Sequence, residues 1–198
     1  MIVTCAFRSP YLEHNTNQLN TIKGVPVLSF RDCLPYGEGI VREGVKERFQ
    51  ESMYGFKPHA VQQALGLGHR LIVWMDPSVL PLEDVSTIFE QLSQTDMLVI
   101  KGDNHINKMT NEKAFRHFGI RPDVNHIGGT IYAFNFNNER TINAFQYWKQ
   151  AETLGIFGNQ DEFMKGHWAD ESCMALSMAK AGIEQQSLVF KYKNQKDG

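Results

Sequence analysis

The chain has 198 residues, 42% of them hydrophobic, and a formal net charge of −2 at pH 7. This length and apolar content are enough for one domain with a full core. The near-neutral charge argues against nucleic acid or an anionic membrane as a partner. No apolar run is long enough to span a bilayer. These values exclude strongly basic binding proteins and membrane-spanning proteins.

The cysteines and the N-terminus indicate the compartment. Residues 1–8 lack the basic region followed by a long apolar stretch that marks a signal peptide, and they predict a strand instead. Cys5, Cys33 and Cys173 are odd in number and widely spaced, which fits neither a zinc site nor a disulfide framework. Such cysteines suit a reducing compartment, so we expect a cytoplasmic protein.

Strand and helix patterns alternate along the chain. Short apolar runs predict strands over residues 2–6, 25–30, 71–75, 97–100, 127–136 and 188–192. Amphipathic or glycine-terminated stretches predict helices over residues 12–23, 41–53, 59–67, 81–92, 112–118, 139–154 and 169–181. The alternation predicts an α/β fold with a largely parallel sheet. We expect one domain over residues 1–192, followed by a polar tail over 193–198.

The strand predicted over residues 71–75 ends at a carboxylate. Its run Leu-Ile-Val-Trp-Met is apolar without alternation, as in a strand that is buried on both faces. Asp76 follows at once. Ligands of open α/β sheets bind just beyond the carboxyl ends of the strands, so Asp76 is a candidate functional residue. The alternative is that Asp76 caps the turn after the strand.

The order of these pieces resembles the nucleotide-diphospho-sugar glycosyltransferases of the GT-A fold. The matching segments span most of the chain: the first strand and its polar turn (residues 3–8), Lys57-Pro58 at a helix start, Trp74-Met75-Asp76 at a strand end, the glycine-led strand 128–134, and Asp170-Glu171 at the start of a late helix. The resemblance implies a single GT-A-like domain with a mostly parallel sheet flanked by helices. It also implies transfer of a sugar from a nucleoside-diphosphate sugar, UDP- or GDP-linked, to the hydroxyl of a glycan or another acceptor.

The resemblance further implies a divalent cation. In that family an Asp-any-Asp motif at the strand end holds Mn²⁺ or Mg²⁺ against the donor diphosphate, and oxygen ligands suit these hard ions. Here the motif is Asp76-Pro77-Ser78, so a hydroxyl replaces the second carboxylate. Asp76 and Ser78 are therefore expected to bind the donor and the cation, with less charge than the usual pair, and the alternative is a site without a cation.

Donor-binding roles also follow from the resemblance. It places the base and ribose of the donor at the end of the first strand, at residues Thr4, Ala6, Phe7 and Arg8. Phe7 would stack on the base and Arg8 would meet phosphate, whereas a core phenylalanine and a solvated arginine are the alternatives. Lys57 would reach the diphosphate, and its alternative is a surface lysine at a helix start.

The catalytic and sugar-contacting residues are assigned in the same way. An acid at the place of Asp170, or of Glu171, would contact the acceptor or act as the general base. The alternative is that both are ordinary acids at a helix N-terminus. Contacts with sugar or acceptor are expected from His126, which precedes the glycine-led strand, and from Gly128, Gly129 and Thr130 within it. A tight turn or bulge would explain the two glycines equally well.

Two other function classes stay open. A nucleotidyltransferase would need a glycine-rich, basic phosphate loop near the N-terminus, and residues 7–11 do not form one. The incomplete acidic motif leaves room for a non-catalytic GT-A-like domain that binds ligands or acts as a scaffold.

Overall fold

The computed structural model describes residues 1–7, 10–31, 54–121, 123–157, 163–165 and 169–196. The helix predicted over 41–53 and the donor contact predicted for Arg8 lie outside these ranges.

The described strands form a large sheet and a small one. They are β1 (Ile2–Ala6), β2 (Val27–Arg31), β3 (Leu71–Met75), β4 (Val79–Pro81), β5 (Met97–His105), β6 (Asn125–Asn135), β7 (Gln186–Ser187) and β8 (Tyr192–Asn194). The large sheet has the strand order β2-β1-β3-β6-β5-β7, and β4 pairs with β8 in the small one.

The large sheet is mostly parallel, as predicted. β1 runs parallel to β2 and β3, and β7 runs parallel to β5. β6 is antiparallel to both of its neighbours, β3 and β5. Five of its six strands therefore point the same way, and β6 alone among them is reversed. The carboxyl end of β3, with Asp76, consequently lies beside the middle of β6.

Helices connect and flank the strands. They are α1 (Tyr11–Thr21), α2 (Phe56–Gly66), α3 (Ser86–Leu92), α4 (Glu112–Phe118), α5 (Glu139–Thr153) and α6 (Ala169–Lys180), with a 3₁₀ turn at Ile106–Lys108. Among the described helices, none combines the length and the apolar character that crossing a bilayer requires.

Helix α3 is shorter than its predicted span of 81–92. Pro81 belongs to β4, and the helix begins only after Asp84, whose carboxylate accepts the Ser86 backbone N–H at 2.9 Å. The proline at the predicted helix start is therefore a strand residue, which is tolerated on a short edge strand.

The C-terminal residues are more ordered than predicted. Instead of a strand over 188–192 and a tail from 193, the chain pairs Tyr192–Asn194 with β4. Gln195 then binds the turn after β3, because its backbone N–H donates to the Ser78 carbonyl at 2.8 Å and its side chain donates to the Pro77 carbonyl at 3.3 Å. The end of the chain thus braces the turn that follows Asp76.

The core has two layers, one on each face of the large sheet. Along β3, Ile72 and Trp74 pack on one face, and Val73 and Met75 pack on the other. This two-sided burial explains the unbroken apolar run. Because alternate residues of a strand share a face, Asp76 continues the side on which Trp74 lies. That side is covered by α2, α4, α5 and α6.

Candidate active site

A buried lysine joins two carboxylates where α2, β3 and α6 meet. The Lys57 side chain, in the first turn of α2, is 3% exposed. Its Nζ donates to Asp170 Oδ2 at 2.7 Å and to the Gly129 carbonyl at 2.9 Å, and it lies 3.4 Å from Asp76 Oδ1. We call Lys57, Asp76, Asp170 and the Gly129 carbonyl the Lys57 cluster. It brings together Lys57 and Asp76, which were both predicted to bind the donor diphosphate, and Asp170, which was predicted to act on the acceptor.

Aromatic side chains wall the Lys57 cluster. The ammonium lies 5.2 to 5.6 Å from the ring centroids of Tyr54, Trp74 and Tyr132. Trp74 Nε1 donates to Asp76 Oδ1 at 2.8 Å, and the Tyr132 hydroxyl donates to Asp170 Oδ2 at 3.2 Å. Trp74 and Tyr132 are directly paired across β3 and β6, so the strand register places the two rings side by side.

Burial and pairing act against each other on the charges of the cluster. Burial opposes the positive charge of Lys57, but the Asp170 and Asp76 carboxylates overcome it and raise the pKa of the ammonium above its usual value. Burial raises the pKa of the Asp76 carboxyl, and Lys57 and the Trp74 N–H partly offset the rise. Burial likewise raises the pKa of Asp170, again opposed by Lys57. The lysine stays charged, and the carboxyls become stronger proton acceptors than exposed ones.

One carboxylate oxygen of the cluster accepts no hydrogen bond from the described residues. Asp170 Oδ1 is buried and has no hydrogen-bond partner among the described residues, whereas Oδ2 accepts hydrogen bonds from both Lys57 and Tyr132. The Asp76 side chain is 18% exposed, so solvent reaches the cluster on that side. A buried acceptor without a donor costs free energy, and a ligand hydroxyl would satisfy it.

Glu171 connects α6 to the glycine-led strand. Its Oε1 accepts the Gly129 backbone N–H at 2.7 Å, and its Oε2 lies 3.3 Å from His126 Nε2. A Cβ atom at position 129 would stand 2.5 Å from Glu171 Oε1, so this close approach requires glycine. The absence of a side chain at Gly129 therefore serves a contact within the protein. Position 128 is not crowded, because a Cβ there would meet Ile100 at an ordinary 3.4 Å.

The residues at the end of β1 are packed inside the protein. Thr4 and Ala6 are buried, and Phe7 is 8% exposed and packs edge-on against Phe56 with ring centroids 5.4 Å apart. A base could stack on Phe7 only after the residues that bury its ring moved. Their predicted donor contacts stay predictions. Thr130 lies nearer the cluster, since its carbonyl accepts the Asp76 backbone N–H at 2.8 Å.

The expected metal pair, Asp76 and Ser78, does not fit a hard cation. The Ser78 side chain is wholly buried and its Oγ has no hydrogen-bond partner within the described ranges. The neighbouring carbonyls of Asp76 and Val79 accept the Gln18 side chain at 2.7 and 2.9 Å. Nor do the described residues include any group of three or more His, Cys, Asp or Glu side chains placed to hold a metal ion. Mg²⁺ and Mn²⁺ prefer six oxygen ligands, which this turn does not offer.

Sequence reasoning missed the aromatic residues of the site. Trp74 and Tyr132 bind the two carboxylates, and Trp148 Nε1 donates to the Asp170 backbone carbonyl at 3.1 Å. For Trp74 the signal was present, because a residue two positions before Asp76 on a strand shares its face. Tyr132 and Trp148 gave no comparable signal, since their contacts depend on how β6 and α5 pack against α6.

Two open grooves lie away from the Lys57 cluster. One, of about 630 Å³, is lined by polar residues that include Asp96, Asn135 and Arg140. The other, of about 270 Å³, includes Lys101 and Glu184. Arg140 is largely exposed and pairs with Asp96 at 2.8 Å, as on a solvated surface. The buried, strongly interacting charges make the Lys57 cluster the better candidate for chemistry.

The fold is similar to that of solved glycosyltransferases. LgtC, a galactosyltransferase crystallised with donor and acceptor sugar analogues, matches with a TM-score of 0.51 and 11% identity over 94% of this chain and 72% of its own. Mouse xyloside xylosyltransferase 1 matches with a TM-score of 0.52 and 10% identity over 96% and 84%. A putative nucleotide-diphospho-sugar transferase from Desulfovibrio desulfuricans G20 matches with a TM-score of 0.51 and 12% identity over 94% and 78%.

Similarity is thus found at the level of structure. No protein-family model matches the sequence, and neither does any curated protein. The structural matches extend along nearly the whole of this chain. The chain therefore has the GT-A fold of the nucleotide-diphospho-sugar glycosyltransferases.

Proposed function

We propose that this protein transfers a sugar from a nucleoside-diphosphate sugar, UDP- or GDP-linked, to an acceptor hydroxyl. One observation carries the proposal: Asp76 and Asp170 meet at Lys57 beyond the carboxyl end of β3, and the buried Asp170 Oδ1 has no donor within the described structure. Ligands of open α/β sheets bind at this rim. A sugar offers several hydroxyl groups that can donate to a carboxylate.

In this proposal the carboxylates contact the reacting groups. The acceptor oxygen forms a bond to the anomeric carbon, the bond from that carbon to the diphosphate oxygen breaks, and the diphosphate leaves with the electron pair. Asp170 Oδ1 accepts the proton of the acceptor hydroxyl, which its raised pKa favours. Glu171, fixed by the Gly129 N–H, contacts a sugar hydroxyl through its other oxygen. Lys57 keeps Asp170 in place and ionised.

The ligands and the cellular location of the protein are proposed on two further grounds. The LgtC structure contains donor and acceptor sugar analogues, which supports a donor and an acceptor here as well. Cys5 and Cys173 are free and buried, and free thiols persist in a reducing compartment. We propose a cytoplasmic location on this basis.

Isothermal titration calorimetry with UDP, GDP and their sugar conjugates tests the proposal. We expect the wild-type chain to bind one of these ligands at a single site, and Asp76→Asn to weaken that binding more than Asp96→Asn, which changes a carboxylate remote from the cluster. Preference for a nucleoside triphosphate would favour a nucleotidyltransferase. The absence of binding to every nucleoside diphosphate and conjugate would contradict the proposal.

A non-catalytic binding domain is the second candidate, and the packing of the site favours it. Three protein oxygens around Lys57 Nζ match the three donors of its ammonium, and Phe7 packs against Phe56 in the core. Such a domain would bind a sugar or nucleotide without turnover. Binding by calorimetry together with no release of nucleoside diphosphate during long incubation would select this candidate.

A further inference from the structure

Lys57 occupies the place between the carboxylates that a cation would take. We propose that this ammonium is the built-in cation of the site, and that Asp76 and Asp170 are held together by it and not by a divalent metal. The inference rests on the proposed function. It departs from the expectation of Mn²⁺ or Mg²⁺ on Asp76 and Ser78.

One oxygen of each carboxylate is already engaged within the cluster. Asp170 Oδ2 accepts both Lys57 Nζ and the Tyr132 hydroxyl, and Asp76 Oδ1 accepts Trp74 Nε1 and lies 3.4 Å from Lys57 Nζ. The Gly129 carbonyl takes a further N–H of the ammonium at 2.9 Å. An ammonium has three donors, so these three oxygens match its capacity.

The walls of the cluster suit an ammonium better than a divalent ion. Three ring faces surround Nζ at 5.2 to 5.6 Å, contributed by Tyr54, Trp74 and Tyr132. Aromatic faces attract a lysine ammonium through their electron-rich centres. Mn²⁺ and Mg²⁺ need about six oxygen ligands, and ring faces provide none.

The balance of charge points the same way. Asp76 and Asp170 carry two negative charges in the ionised state, and Lys57, whose pKa they raise, neutralises one of them. A divalent ion at the same carboxylates would lie against the ammonium and be repelled by it. The ammonium is 3% exposed and hydrogen-bonded, so it is not free to move aside.

Titration with Mn²⁺ alone tests the inference, with free Mn²⁺ followed by electron paramagnetic resonance. We expect the wild-type chain to show no Mn²⁺ binding that is lost in Asp76→Asn. In Lys57→Gln the two carboxylates remain without their ammonium, so this variant should bind one Mn²⁺ at least about 10-fold more tightly than wild type. Its thermal midpoint should rise with Mn²⁺ concentration. The charge-matched double variant Lys57→Gln/Asp170→Asn should lose this gain.

Two results would overturn the inference. One is saturable Mn²⁺ binding by the wild-type chain that disappears in Asp76→Asn, and the other is a folded Lys57→Gln that binds Mn²⁺ no more tightly than wild type. If Lys57→Gln does not fold, the comparison of wild type with Asp76→Asn decides. No nucleotide is present in the titration, so its outcome is separate from the test of sugar transfer.

Discussion

At the scale of single residues, Lys57 determines the electrostatics of the site. It is an α2 residue buried among three rings, and it touches both carboxylates of the cluster. The sequence identified Lys57, Asp76 and Asp170 as candidates separately. It did not predict that Lys57 would be buried or that the three would meet, because their separations along the chain carry no information about packing. A lysine at a helix start is usually a surface residue, and here two carboxylates offset the cost of burying it.

Asp76 should make the stability of the protein depend on pH in an unusual direction. Its pKa is raised from 3.8, mainly by burial, so the folded state binds a proton more readily than the unfolded state. Its contribution is fully present below about pH 3.8 and is lost as pH rises through the raised value. Urea unfolding should therefore show the wild type gaining stability relative to Asp76→Asn as the pH falls from neutral.

Asp84 provides a matched control of opposite sign. The Ser86 backbone N–H lowers the pKa of this exposed carboxyl below 3.8, so its contribution is lost as the pH falls below that value. Wild type should lose stability relative to Asp84→Asn over that range. The contradicting result would be a wild type that loses stability relative to Asp76→Asn as the pH falls, as it should relative to Asp84→Asn. Lys57 and Trp74 would then outweigh burial in setting the pKa of Asp76, and our electrostatic account would be wrong.

At the scale of elements, the fit of α6 against β6 positions the acids of the site. Glu171, in the first turn of α6, binds the Gly129 N–H, and the preceding residue, Asp170, reaches Lys57 and Tyr132. The sequence pattern predicted the ends of β6 and α6 to within a few residues, and it predicted both ends of α4 correctly. The pairing of β4 with β8 was not predictable, since three-residue strands leave almost no periodic pattern and owe their existence to contacts distant in sequence.

The two glycines of β6 allow a matched test of this fit. In Gly129→Ala the new Cβ would stand 2.5 Å from Glu171 Oε1 and 2.6 Å from its Cγ, so Glu171 must move away and give up its bond to residue 129. We expect a loss of about 1–3 kcal/mol in the free energy of unfolding. Gly128→Ala meets Ile100 at an ordinary distance and should be neutral, or stabilising by about 0.4–1 kcal/mol.

Chemical denaturation of both alanine variants measures the difference. Equal effects at the two positions would show that α6 does not press on β6 as the structure indicates. Because Glu171 is proposed to contact a sugar, Gly129→Ala should also weaken sugar-nucleotide binding in calorimetry, whereas Gly128→Ala should not.

At the scale of the whole molecule, the fold follows from the order of its elements, whereas the site depends on tertiary contacts. Structural matches along nearly the whole chain establish the GT-A fold. The alternation of strands and helices was enough to predict its class, because that pattern forces an α/β layer arrangement. The chemistry of the site depends on tertiary contacts that an Asp-Pro-Ser sequence at a strand end does not reveal, including the burial of Ser78 and the bracing of its turn by Gln18 and Gln195.

Release of nucleoside diphosphate from a panel of UDP- and GDP-sugars, with simple sugars offered as acceptors, tests the central claim most directly. We predict release by the wild-type chain and a loss of about 100-fold or more in Asp170→Asn, as expected when a carboxylate that accepts the reacting proton is removed. Circular dichroism and thermal unfolding would confirm that the variant is folded. No release from any donor, or equal release by wild type and a folded Asp170→Asn, would contradict the account.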